Sequence, residues 1–156
     1  MSSEREFVYP YRAPPGFRNR EEIKEPPLYP LLNIQLYTDP SRPRHLEGLL
    51  DSGADTIFIP TSVSKDLNLP RGADMQSGGV FGTGRCYQTQ VGFIIGRTNA
   101  DKIDFGMVPA VVPAEQSDIP ILIGRDPLFK YFEVIFKEYK KERPTIKIIQ
   151  KNELQP

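Results

Sequence analysis

The sequence predicts an all-β domain, and three observations carry that expectation. From residue 31 onward, short apolar runs alternate with turn clusters at the spacing of strands in a barrel or sandwich. Only two short stretches read as helix. The first thirty residues, with Pro10, Pro14, Pro15, Pro26, Pro27 and Pro30 among many charges, sustain neither a helix nor a central strand.

In chain order, residues 1–30 form an extended or partly disordered proline-rich arm. Its aromatic residues Phe7, Tyr9, Tyr11, Phe17 and Tyr29 are anchors for the domain or for a partner. Residues 31–156 form the domain. Strands are expected at 32–37 and 46–50, separated by the turn "TDPSRPR", and then at 56–59, 86–95, 102–112, 119–123, 132–136 and 145–150. Short helices are expected at 62–67 and 126–131, the second with Asp126 as N-cap and Pro127 as its first helical residue.

Length and charge narrow the function. A chain of 156 residues fits one domain with one core. Twenty basic residues balance twenty acidic ones, so no net field gathers nucleic acid or an anionic membrane surface. The single cysteine, Cys86, forms no internal disulfide, and no Cys/His cluster is present to hold a metal. The N-terminus "MSSEREFVYPYR" lacks the apolar core of a signal peptide, and no run approaches the ~18 apolar residues of a membrane span. A soluble, cytoplasmic protein without cofactor is the expectation.

The lone histidine, His45, sits in a polar stretch beside prolines and arginines, which disfavours Ser/His or Cys/His catalysis; it reads as a solvated turn residue. The glycine-rich "SGGVFGTGR" lacks the Gly-Lys-Ser/Thr ending and the following helix of a phosphate loop, and reads instead as a β-hairpin tip.

The stretch "LDSGADT", residues 50–56, puts an acid directly after an apolar strand. A lone buried carboxylate is costly, so Asp51 must be exposed, paired or protonated. A turn at Ser52-Gly53 directs the carboxylate out at the strand end, where backbone N–H groups can bond it. By itself Asp-Ser-Gly is a common turn tripeptide. A second strand-turn unit, "IPILIGRDPLFKYFEVIF", places Gly124-Arg125-Asp126 directly after another apolar run.

Taken in order, "LLDSGADT", "GGVFG" and "ILIGRD" resemble the signatures of the retropepsin-like aspartic proteases, over residues 32–149. The resemblance implies a closed, homodimeric retropepsin-like β-barrel with one short C-terminal helix. It also implies an endopeptidase in which Asp51 of each subunit forms the acid–base pair, since the chain holds one "DSGA" only. Ser52 then bonds across the dimer, the Gly53 carbonyl meets substrate, and Ala54 leaves room beside the substrate backbone. Asp55 pairs with Arg125 in a partly buried, mainly structural ion pair.

Gly78, Gly79, Val80, Phe81 and Gly82 form the flap over a peptide or protein substrate, with Phe81 where retroviral flaps often carry glycine. Ile57, Ile59, Val111 and Ile121, with Val80 and Phe81, are pocket walls or plain core. The alternative is a barrel of the same fold that binds extended peptides or dimerises without catalysis.

Overall fold

The computed structural model describes residues 4–18, 20–22, 24–79, 82–96, 98–99, 101–115, 117, 119–138 and 143–150. Among the described residues ten strands run in chain order: β1 Arg5–Pro10, β2 Leu31–Tyr37, β3 Arg44–Leu50, β4 Ile57–Phe58, β5 Asp74–Gly79, β6 Gly82–Ile95, β7 Ile103–Pro113, β8 Ile121–Ile123, β9 Phe132–Lys137 and β10 Thr145–Gln150. One α-helix, α1, spans Thr61–Asp66. Where a helix is expected at 126–131, residues 125–131 make a short, kinked helical segment in which Asp126 keeps extended backbone angles directly before Pro127. Among the described residues no helix is long and apolar enough to cross a membrane.

Six strands close into a barrel in the order β2-β3-β8-β4-β7-β6, because β6 also pairs antiparallel with β2. β5 extends the sheet beyond β6 as the second arm of a hairpin. Leu36, Ile57, Val91, Phe93, Ile95, Val112 and Ile123 fill the interior. Two pairings are parallel, β3 with β8 and β4 with β7, so two strand-turn units leave the barrel at the same end. That parallel pairing positions the candidate site.

A second sheet, ordered β1-β10-β9, packs on the barrel. β10 alternates, so Ile146 and Ile148 turn inward and are buried. Arg5–Pro10 of the proline-rich arm is the edge strand of this sheet, where a terminal proline costs no ladder bond. Phe7, Tyr9 and Tyr11 are buried in the common core, whereas Phe17 and Tyr29 are exposed. Further along the arm, Arg12 and Tyr29 exchange backbone hydrogen bonds of 3.1 and 3.0 Å, and Arg12 and Arg18 both pair with Glu47 on β3. The arm is therefore strapped across the β2–β3 hairpin.

Candidate active site

Parallel pairing sets Leu49 beside Leu122 and Leu50 beside Ile123, so Asp51 and Gly124 are the first residues to leave their strands. The Asp51 N–H still donates to the Ile123 carbonyl at 3.0 Å, which carries the ladder one step past the strand. The chain then turns: the Ala54 N–H donates to the Asp51 carbonyl at 3.2 Å, and the Gly53 N–H donates to Asp51 Oδ1 at 2.9 Å. This carboxylate-to-backbone bond is the local reason for an Asp at the head of the turn. It fixes a half-buried carboxylate at the strand end. Among the described residues no other group bonds that carboxylate.

The second turn is laced to the first. The Arg125 N–H donates to the Ala54 carbonyl at 2.9 Å and the Asp126 N–H to the Asp55 carbonyl at 3.0 Å. At Gly124 the approach is so close that a Cβ would lie 2.4 Å from the Thr56 carbonyl oxygen and 2.5 Å from that of Ala54. Only glycine fits there. On the far side, the Thr56 hydroxyl donates to the Pro109 carbonyl at 2.9 Å and ties the loop to β7.

Asp55 and Arg125 are ion-paired, but the pair is not partly buried: the Asp55 side chain is 83% and that of Arg125 61% exposed. A pair in such surroundings contributes ~0–1 kcal/mol in the single chain. The backbone bonds, not the ion pair, join the two turns.

Asp51 and Ser52 open on a cleft of about 540 Å³ whose other walls are Pro30, Leu50, Phe136 and Glu138. Ser52 is exposed and makes no hydrogen bond among the described residues. Phe136 and Glu138 are contributions that the sequence reading missed. The alternating "FEVIFK" marks a strand without saying what its end faces. The Glu138 carboxylate accepts a 3.0 Å bond from the Tyr11 hydroxyl, 127 positions away, a contact with no local signal. Burial first, and then that bond, push the Tyr11 phenol up to about 12.

The hairpin of β5 and β6 carries the glycine-rich segment. Gly78 pairs with Thr83 and Gly79 with Gly82, while Val80 and Phe81 lie outside the described residues. No residue of 74–78 is buried and Thr83, Gly84 and Arg85 are exposed, so the distal half stands away from the core. Its base is fixed by a 3.0 Å hydroxyl contact between Ser64 and Tyr87, and by the Arg71 guanidinium 4.6 Å above the Tyr87 ring.

Four of the expected pocket-wall positions resolve as packing. Ile57, Ile59, Val111 and Ile121 are buried, the core alternative rather than pocket walls. His45 lies on β3 opposite Gln35, not in a turn, and is exposed.

A retropepsin-like aspartic protease from Rickettsia conorii matches 95% of this chain and 93% of its own, with a TM-score of 0.55 and 11% identity. EIAV protease complexed with an inhibitor matches 65% of this chain and 86% of its own, with a TM-score of 0.45 and 25% identity. No protein-family model matches the chain, nor does any curated protein. The fold is retropepsin-like.

Proposed function

We propose that the protein is an aspartic endopeptidase that acts as a homodimer, with Asp51 of each copy as the acid–base pair. One observation carries this reading: on a retropepsin-like barrel, Asp51 is clamped by its own turn at the mouth of an open cleft. Two carboxylates brought together there would share one proton, the general behaviour of aspartic proteases. The ionised member takes a proton from water, whose oxygen bonds to the peptide carbonyl carbon; the protonated member hydrogen-bonds the carbonyl oxygen. Collapse of the tetrahedral species breaks the C–N bond, and the nitrogen leaves with a proton from the pair. This chemistry calls for no metal and no cofactor.

In this reading Ser52, exposed and without a hydrogen-bond partner among the described residues, bonds across the two-fold axis. The substrate lies extended, bonded through its main chain at Gly53 and Asp55, with Ala54 leaving space beside it. Gly78, Gly79, Val80, Phe81 and Gly82 close over it as the flap and exclude water. Arg125 orients the loop through its bonds to Ala54 and Asp55. A buried lone Cys86 suits a reducing, cytoplasmic setting.

The test is cleavage of an unstructured protein. Asp51→Asn keeps shape and removes the acid, so a loss of ~10²-fold or more is expected. Glu138→Gln removes the other carboxylate of the cleft and is expected to cost far less. Cleavage by Asp51→Asn at the wild-type rate would sink the proposal, and equal losses in the two variants would replace the two-copy pair with an Asp51–Glu138 pair in one chain. Peptide binding without cleavage by the wild type would leave a non-catalytic peptide-binding module.

A further inference from the structure

We infer that two copies of this chain join through the edge of β9 that no described strand covers, pairing it antiparallel with itself in the register that sets Glu133 opposite the partner's Lys137. The inference rests on the two-copy reading of Asp51 and adds the surface that builds it.

The sheet β1-β10-β9 has two outer strands. β10 lies between β1 and β9 of its own chain, so among the described residues it has no open edge and a second chain can add only at β1 or at β9. The β1 edge ends in Pro10, which has no N–H to donate. The β9 segment, Phe132–Lys137, has no proline and keeps every donor. Position separates the two edges further, because Phe136 and Glu138, on and just after β9, line the cleft that holds Asp51. A second Asp51 can reach the first only if its chain arrives on this side. Phe136, 37% exposed at that wall, is an apolar surface in want of a cover.

The sequence of β9 is self-complementary. A two-fold axis through Ile135 puts Glu133 opposite the partner's Lys137, Val134 opposite the partner's Phe136, and the reciprocal pairs follow by symmetry. Opposite charges then face each other twice on one side of the ribbon, and two apolar pairs lie on the cleft side. A slip of one residue would face Glu133 with the partner's Phe136, so charge and pattern select the same register.

The test is charge reversal with rescue, read as the dimer dissociation constant by sedimentation equilibrium. Lys137→Glu and Glu133→Lys each place like charges opposite one another twice, and each is expected to weaken dimerisation about tenfold. The double variant restores opposite pairs and is expected to dimerise as the wild type does. In parallel, Ile135→Cys on the axis is expected to form a covalent dimer under mild oxidation. Val8→Cys, exposed on the β1 edge, is not, and Cys86 is buried and gives no background.

Single variants that dimerise like wild type, a double variant as weak as the singles, or cross-linking through Val8→Cys instead would overturn the β9 interface. Each of those results, in a wild type that dimerises and cleaves, leaves the proposed reaction standing. A wild type that stays monomeric and cleaves nothing overturns both.

Discussion

Asp51 is held where it is by three bonds, of which two are local, from the Gly53 N–H to its carboxylate and from the Ala54 N–H to its carbonyl; the third depends on Ile123 of the paired strand. Gly124 is the residue that lets the two turns meet. In Gly124→Ala the new Cβ would collide with two backbone carbonyls that no rotamer change can move. The expected cost is ~1–3 kcal/mol of stability, measured by urea denaturation, together with loss of cleavage as the Asp51 turn shifts. Wild-type stability in this variant would show that the contact between the turns is looser than described.

At the same scale, the neutral Tyr11 phenol is the form the fold favours. Its folded value is raised, so its contribution is fully present below the unfolded value of 10.0 and is lost as pH rises toward about 12. Tyr11→Phe removes that group, and its urea midpoint is expected to fall less than that of the wild type between those pH values. Equal slopes would mean that Tyr11 does not titrate as described.

The acid, the glycines and the arginine of the candidate site could be singled out because each lies within a few residues of its own strand end. Phe136 and Glu138, with Tyr11 bonded behind Glu138, could not, because only the closed fold brings them together.

At the scale of elements, most strands were visible in the alternation of apolar runs and turns, and β10 falls within the expected bounds. β5, "DMQSGG", with no buried residue among 74–78 and so no apolar rhythm, was expected only as the first arm of the glycine-rich hairpin, without bounds. One strand was not visible. β1 is rich in charge and ends in proline, which reads as an arm; its alternation, with Phe7 and Tyr9 inward and Glu6 and Val8 outward, emerges only against β10. Because Phe7 joins the core, Phe7→Ala is expected to destabilise the protein by ~3 kcal/mol, as large-to-small core changes do. A loss below ~0.5 kcal/mol in a denaturation series would instead mark β1 as a detachable arm.

Across the whole molecule, the parallel β3–β8 pair and the barrel closure by β2 and β6 put the Asp51 carboxylate at the mouth of an open cleft. The resemblance in three short motifs was enough to expect this barrel. What it could not supply was the second sheet, whose strand order follows from contacts between the two ends of the chain.

If one working site needs Asp51 from two chains, mixing active and inactive subunits reveals it. Wild type and Asp51→Asn are combined at constant total protein, allowed to exchange, and assayed for cleavage. If both acids are required, only wild-type pairs act, and an equal mixture retains about one quarter of the wild-type rate under random pairing. A rate that falls only in proportion to the wild-type share, to about one half, would show that each chain carries a complete site and would contradict the account.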